Sequence, residues 1–318
     1  MANPFLLWRR WRDARRRTAF EDVLKHVLTR TIEGREAGVD SVAGHLGFSQ
    51  KRVLHLAVEM ESAGLLRSEG ARLALTPAGE KWATQVVRAH RLWETYLANE
   101  AHVPIEALHK PAEAAEHRLT PEQVDALDAS LGYPRNDPHG DPIPTASGQI
   151  AALDARAVTS FPLGQAAEIA HLEDEPAALF RQIPEALRPG TVVRRVSSSP
   201  AEVTLSDGAR EYRLTPLVAG NIQVVPAPEA KADPSLAPLS ALALGEEAEV
   251  VAIGPGLRGF TRRRLLDLGL TPQARVSVHL DNAFGDPRAY RVRGATIALR
   301  REQAAHIFVR RHGVLASA

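Results

Sequence analysis

Apolar residues recur at three- and four-residue steps through Phe20, Val23, Leu24, Val27, Leu28 and Ile32, which predicts an amphipathic helix over 20–32. Gly38 falls in the turn that follows. Asp40 is placed to cap a short helix from Ser41 to Leu46 that stops at Gly47. Ser49 is placed to cap a third helix, with Val53, Leu56, Ala57 and Met60 on its inner face and Gly64 as its stop. The period then shortens. Leu65-Leu66-Arg67, a turn at Ser68-Glu69-Gly70, and Leu73-Ala74-Leu75 read as a two-stranded hairpin. Three helices followed by a small hairpin is the pattern of a winged helix-turn-helix, here assigned to 20–76.

Helical periodicity resumes at Thr76-Pro77, a cap followed by a first-turn proline, and runs through Val86, Val87, His90, Leu92, Trp93 and Tyr96. Another helix covers roughly 104–118. A further one starts at Thr120-Pro121-Glu122-Gln123, where Gln123 is placed for a capping box, and ends at Gly132-Tyr133-Pro134. The prolines and glycine of 136–144 exclude regular structure there. An all-helical domain over 77–148 follows from these signals.

Beyond residue 160 the chain reads as short β segments, and it repeats itself. Leu163-Gly164-Gln165-Ala166-Ala167-Glu168-Ile169 matches Leu244-Gly245-Glu246-Glu247-Ala248-Glu249-Val250, and Asn221-Ile222-Gln223-Val224 matches His306-Ile307-Phe308-Val309. The two copies, 160–226 and 239–311, have the strand spacing of SH3-like small β barrels, with the Pro- and Ala-rich 227–238 as linker. The fold class expected is therefore α+β multidomain: a winged helix, a helical domain and two small β barrels.

Composition and charge sharpen this picture. At 318 residues the chain is too long for one core. It has no cysteine, which excludes disulfides, thiolate metal sites, iron–sulfur clusters and a cysteine nucleophile. No apolar run is long enough to span a bilayer, and Phe5-Leu6-Leu7-Trp8 is too short for a secretory signal, so a cytoplasmic chain without membrane insertion is expected. The net charge of +1 conceals a basic head (net +4 over 1–72), an acidic middle (net −9 over 101–185) and a basic tail (net +8 over 254–318). The basic extension 1–19 carries six arginines, Arg9, Arg10, Arg12, Arg15, Arg16 and Arg17, just before the predicted first helix. They suit a DNA backbone or minor groove, a frayed terminus, or a membrane surface.

A winged helix reads DNA with its third helix. Ser49, Gln50, Lys51, Arg52 and His55 stand at the start of that helix. Ser49 and Lys51 suit phosphates, and Gln50 and Arg52 suit base edges. The helical domain carries a second constellation. His90 and Glu94 are four apart, and His109, Glu113, Glu116 and His117 follow at helical spacing, so each set shares a face. Carboxylates this close repel unless a cation joins them. Oxygen and nitrogen donors without sulfur suit Mn²⁺ or Fe²⁺, with Co²⁺, Ni²⁺ and Zn²⁺ as possible surrogates. A solvated helix face is the bland alternative for any one of these residues. The sequence lacks a His-Glu-x-x-His arrangement and a general base distinct from the donors, which points away from an enzyme.

The segments Leu75-Thr76-Pro77-Ala78-Gly79-Glu80, Val87-Arg88-Ala89-His90-Arg91-Leu92-Trp93-Glu94, His109, Glu113, Glu116-His117 and His139-Gly140-Asp141-Pro142-Ile143-Pro144 resemble the diphtheria-toxin-repressor family of metal-dependent regulators. The two β repeats resemble the FeoA-like SH3 domains of that family, and Arg262-Arg263-Arg264-Leu265-Leu266-Asp267-Leu268-Gly269-Leu270 looks most like FeoA itself. The resemblance implies a homodimer that binds an inverted-repeat double-stranded operator when loaded with Mn²⁺ or Fe²⁺ and controls metal-homeostasis genes. It places Glu113, Glu116 and His117 on the primary metal site, Asp22 on the first-helix ligand position, and His90, Glu94 and His109 on a second or shared site. Glu113 holds a position that is cysteine in iron-type members. Lys25 departs from the pattern, standing where some manganese-type members have an acid. Glu173 is the candidate reaching back from the first SH3-like domain. The FeoA-like domains are candidate contacts for a transporter or for copies of the same chain, and the rival reading is a FeoA-like accessory protein that docks on a ferrous-iron transporter and uses the winged helix for protein contact.

Overall fold

The computed structural model describes residues 4–227, 236–254, 257, 259–282 and 286–311. Helix α1 spans Pro4–Ile32, α2 Val39–Leu46 and α3 Gln50–Ser62, followed by strands β1 (Leu66–Glu69) and β2 (Arg72–Leu75). The expected helix at 20–32 is thus the second half of a much longer one, and the basic segment is helical rather than a separate extension. The reason is that arginine and alanine favour helix even where the apolar stripe fades. The side chains of 4–12 lie outside the described residues. Asp40 does not cap α2. The cap position is Gly38, whose N–H donates to Ser41 Oγ at 3.0 Å. Ser49 does cap α3, accepting from the Arg52 N–H at 3.3 Å.

Val23, Leu24 and Val27 of α1 pack with Val53, Leu56 and Met60 of α3, with Leu66 and Leu73 of the hairpin, and with Ala83 and Val87 of α4 (Pro77–Asn99). Further along, Ala89 and Leu92 of α4 enter a second core with Val124 and Leu131. One helix therefore belongs to both the head and the helical domain. Its start is fixed by Thr76, which accepts from the Gly79 N–H and donates to Gly64 O. Helices α5 (His109–Glu116) and α6 (Pro121–Ser130) complete the helical part. The single helix expected over 104–118 is instead a 3₁₀ turn at Ile105–Ala107 followed by α5.

The loop 136–144 folds around one carboxylate. Asp137 Oδ1 accepts from the N–H groups of His139, Gly140 and Asp141, each at 2.9 Å. Gly140 has φ +100°, and a Cβ there would lie 2.0 Å from Ala170 O, so only glycine lets this loop meet the neighbouring strand.

That strand belongs to the first β unit: β3 (Arg156–Ala157), β4 (Ala166–Leu172), α7 (Ala177–Phe180), β5 (Val192–Ser198), β6 (Val203–Ser206), β7 (Glu211–Leu214), α8 (Pro216–Gly220) and β8 (Ile222–Pro226). The second unit comprises β9 (Leu236–Pro238), β10 (Glu247–Ile253), α9 (Gly259–Asp267), β11 (Arg275–Leu280), β12 (Arg288–Val292), β13 (Ala295–Leu299), α10 (Arg301–Ala305) and β14 (Ile307–Arg311). The sheets run β3-β8-β4-β5-β6-β7 and β9-β14-β10-β11-β12-β13, the same order twice. Register shifts repeat as well, after Ile169 in β4 and after Val250 in β10. Both ladders are open antiparallel sheets among the described residues, so neither SH3-like unit is a closed barrel. Each unit also starts earlier than the sequence pattern indicates. Arg156–Ala157 pairs with β8, and Leu236–Pro238, assigned to the linker, pairs with β14. Edge strands of two or three residues carry too little alternation to be read.

Candidate metal centre

Three elements and two loops converge below the reading head. His90 and Glu94 lie one turn apart on α4, both buried. Helix α5 brings His109 at its start and Glu116 at its end, with His117 as the residue that ends it. Helix α1 brings Glu21, Asp22 and Lys25. The donors form linked groups: Asp22, Glu116 and His117; His90, Glu94 and His109; and Glu94, Asp137 and His139, in each of which one ligand atom per residue lies within 4.8 Å of the others.

In the first group His117 Nε2 lies 3.1 Å from Asp22 Oδ1 and 3.5 Å from Glu116 Oε1, while its Nδ1 lies 2.7 Å from Glu21 Oε2. Burial lowers the His117 pKa, but Asp22 and Glu21 outweigh it and push it up to about 9. Burial raises the Glu21 carboxyl, but donors from His117, Arg17 and Trp82 hold it below the ordinary range. Glu116 is likewise raised by burial and lowered, on balance, by His90 and Lys25.

In the second group His90 Nε2 lies 3.1 Å from Glu94 Oε1, and His90 Nδ1 meets Glu116, linking the two groups. Glu94 also faces His109 Nδ1 at 3.6 Å and His139 Nδ1 at 3.5 Å. Burial opposes its ionisation, yet the three imidazoles hold its carboxyl well below the usual range. The Glu113 carboxylate at Nε2, and then the Glu94 carboxylate facing Nδ1, push His109 up to about 10. Burial lowers His139, but Glu94 more than offsets this and its pKa rises to about 9. Asp137, buried beside Asp141 and Glu94, is pushed up to about 7.

Several expected positions differ in detail. Glu113 does not join Glu116 and His117. It is exposed and faces His109 Nε2 at 3.3 Å. Glu173 does not reach the cluster through its carboxylate. Its N–H donates to Asn221 O, and the adjacent Asp174 places Oδ2 3.9 Å from His109 Nδ1. Lys25 sits inside the site, donating to both Glu116 oxygens at 2.8 and 3.1 Å. The sequence pattern does not single out Glu21, Asp137, His139 or Asp174 as donors. The i,i+4 pair Arg17–Glu21 was a visible signal for Glu21. The other three depend on how a loop and a β unit dock, which leaves no local signature.

On the head, Gln50, Lys51, Arg52 and His55 are all exposed at the start of α3. Gln50 Nε2 donates to Asp40, the Arg52 guanidinium stacks 3.7 Å from the Phe48 ring centroid, and His55 Nε2 lies 3.2 Å from Glu59. Leu54 and Val58, also exposed, extend the same face.

A long helix is thus shared between a winged helix-turn-helix head and a donor-lined helical domain. Residues 76–145 match the model of the iron dependent repressor, metal binding and dimerisation domain, and residues 237–311 match the FeoA domain. The transcriptional regulator MntR of Salmonella typhimurium is 32% identical over 121 residues, covering 38% of this chain and 76% of that protein. A probable metal transport system membrane protein of Chlamydia trachomatis is 40% identical over 81 residues, 26% of this chain, although the match spans only 18% of that protein. A solved manganese-dependent transcriptional repressor in complex with manganese superposes with a TM-score of 0.59 at 28% identity, covering 65% of this chain and all of that one. The chain belongs to the MntR and diphtheria-toxin-repressor family of metal-dependent transcriptional regulators. Among these similar proteins, the solved structure is named a manganese-dependent repressor, a Corynebacterium diphtheriae relative is named the diphtheria toxin repressor, and the matched family model is described as an iron dependent repressor domain. No helix among the described residues is long and apolar enough to cross a membrane.

The donors fit a divalent ion of that kind. They are carboxylate oxygens and imidazole nitrogens without sulfur. His109 Nδ1 is buried with no hydrogen-bond partner, an orphaned atom of the sort a metal satisfies.

Proposed function

We propose that this chain is a dimeric, metal-dependent DNA-binding regulator of metal homeostasis, with Mn²⁺ or Fe²⁺ as its effector. One observation carries the reading: the first donor group takes Asp22 from the reading head and Glu116 and His117 from the helical domain. Asp22, Glu116 and His117 would hold a divalent ion, whose charge would neutralise the carboxylates of the two modules. Glu116, almost fully buried, and His117 fix the donors on the helical side, while Asp22 moves with α1 and hence with α3. Restricting Asp22 therefore restricts where the two reading helices of a dimer stand, which favours the spacing of successive major grooves. The effect is a population shift limited by the differential affinity of the donors for the ion in the ordered state.

Ser49, Gln50, Lys51, Arg52 and His55 would face the duplex. The ligand set is Asp22, Glu116 and His117, with His90, Glu94, His109, His139 and Asp174 forming the adjoining site and Glu113 held beside His109. A gel-shift titration on DNA from upstream of its own gene tests the reading. Mn²⁺ or Fe²⁺ is expected to tighten binding of the wild type by at least about tenfold and to leave Glu116→Ala largely unresponsive. Equal binding by both proteins in chelator and in metal would sink it.

A further inference from the structure

Two of the three donor triads lie on either side of an amine. Lys25 Nζ donates to Glu116 Oε2 at 2.8 Å and Oε1 at 3.1 Å, and it lies 3.0 Å from His90 Nδ1. Glu116 belongs to the triad with Asp22 and His117, and His90 to the triad with Glu94 and His109. One positive charge thus touches a member of each of these two triads, at the point where His90 and Glu116 themselves meet. The Lys25 side chain is 21% exposed and that of Glu116 is 1% exposed, so the pair is in direct contact and largely shielded from solvent.

An ion bridging the triads would use Glu116 as the shared carboxylate and His90 as a donor, and both already face the Lys25 amine. An ammonium has three donors and no acceptor, so it cannot itself serve as a ligand. It occupies Glu116 without adding an electron pair, and it repels a dication placed in either triad.

We propose that Lys25 is a tethered cation filling the bridging position between the two triads. Ions then enter the triads as separate sites and not as a carboxylate-bridged pair, and the site fills at a higher free-metal concentration than its donor count alone implies. The inference rests on the metal-dependent reading above and concerns what sets its threshold. It also gives the metal-free protein one cation that holds α1 to α4 and α5.

The test is Mn²⁺ binding to the full chain, followed by calorimetry and by electron paramagnetic resonance, for wild type, Lys25→Met and Lys25→Glu. At saturation the wild type is expected to show the spectrum of isolated Mn²⁺ ions. Lys25→Met, which removes the charge and keeps the length, is expected to bind its first ion about tenfold tighter. Lys25→Glu, which adds a bridging carboxylate, is expected to give an exchange-coupled pair. A coupled pair in the wild type, or unchanged or weaker Mn²⁺ affinity in a folded Lys25→Met, overturns the inference. The wild-type spectrum can refute it by itself even if a variant fails to fold. A wild type that takes up neither Mn²⁺ nor Fe²⁺ in any form overturns the metal-dependent reading and this inference together, whereas a coupled wild-type pair overturns this inference alone.

Discussion

Glu21 illustrates how one buried carboxylate shapes the chemistry of its neighbour. Its Oε2 engages His117 Nδ1 at 2.7 Å, leaving Nε2 toward Asp22 and Glu116, and its Oε1 accepts from Arg17 Nε and Trp82 Nε1. A carboxylate on the far nitrogen fixes the imidazole ring and raises the basicity of the nitrogen that faces the metal. Glu21→Gln keeps the size but removes the charge, and the Gln can still meet some of these donors. It is expected to weaken Mn²⁺ binding by about 10–100-fold, measured by calorimetry, while the far-ultraviolet circular dichroism stays unchanged. An unaltered Kd would mean that Asp22 and Glu116 orient His117 without help. Glu21 lies next to the candidate ligand Asp22, yet the two acids have different roles, because neighbours on a helix point about 100° apart.

At the scale of elements, α4 is the strut that carries His90 and Glu94, and its position depends on a close contact at its first turn. A Cβ on Gly79 would lie 2.0 Å from Leu65 O and 2.9 Å from Leu65 C. Leu65 O also accepts from the Thr76 N–H at 3.0 Å, so it cannot retreat freely. Gly79→Ala should therefore destabilise the chain by about 1–3 kcal/mol in urea unfolding, despite the better helix propensity of alanine. A more stable variant would show that the hairpin yields. The helices of the head and α4 are legible in the sequence because a 3.6-residue apolar period and the caps Ser49 and Thr76 agree, and α6 because Thr120 opens it with a capping box. The β repeat is legible because its copies share glycine and apolar positions. The N-terminal half of α1 is not, since arginines replace the apolar stripe there. Within the site, the pair His90 and Glu94 reads correctly as one face. Glu113 and Glu116 do not: three residues apart on a short helix they differ by about 60°, enough to bury one and expose the other. Asp174 in place of Glu173 turns on a single residue of register, set by the docking of the loop around Asp137 onto β4.

For the whole molecule, the near-neutral net charge hides a protonation balance concentrated between the modules. His109 is pushed up to about 10 by Glu113 on its own helix and by Glu94 on α4, and His117 and His139 to about 9 by carboxylates of other elements. Each is raised above the ordinary histidine value near 6.5, so its protonated form is favoured by folding. The stability these groups contribute to the metal-free chain is fully present below that ordinary value and is lost as pH rises through 9 to 10. Asp137, pushed up to about 7, acts in the same sense at lower pH, because its buried carboxyl resists ionisation that the unfolded chain permits. Metal-free protein should therefore melt at progressively lower temperature from near-neutral pH to about pH 9.5. An ion on the same donors takes the place of those protons, so Mn²⁺-loaded protein should lose much less over that interval. Mn²⁺ binding near neutral pH should also release protons, read as a dependence of the calorimetric heat on buffer ionisation enthalpy. Parallel melting curves for the two forms, with heats independent of buffer, would mean that the imidazoles between the modules are not the groups that exchange a proton for a metal.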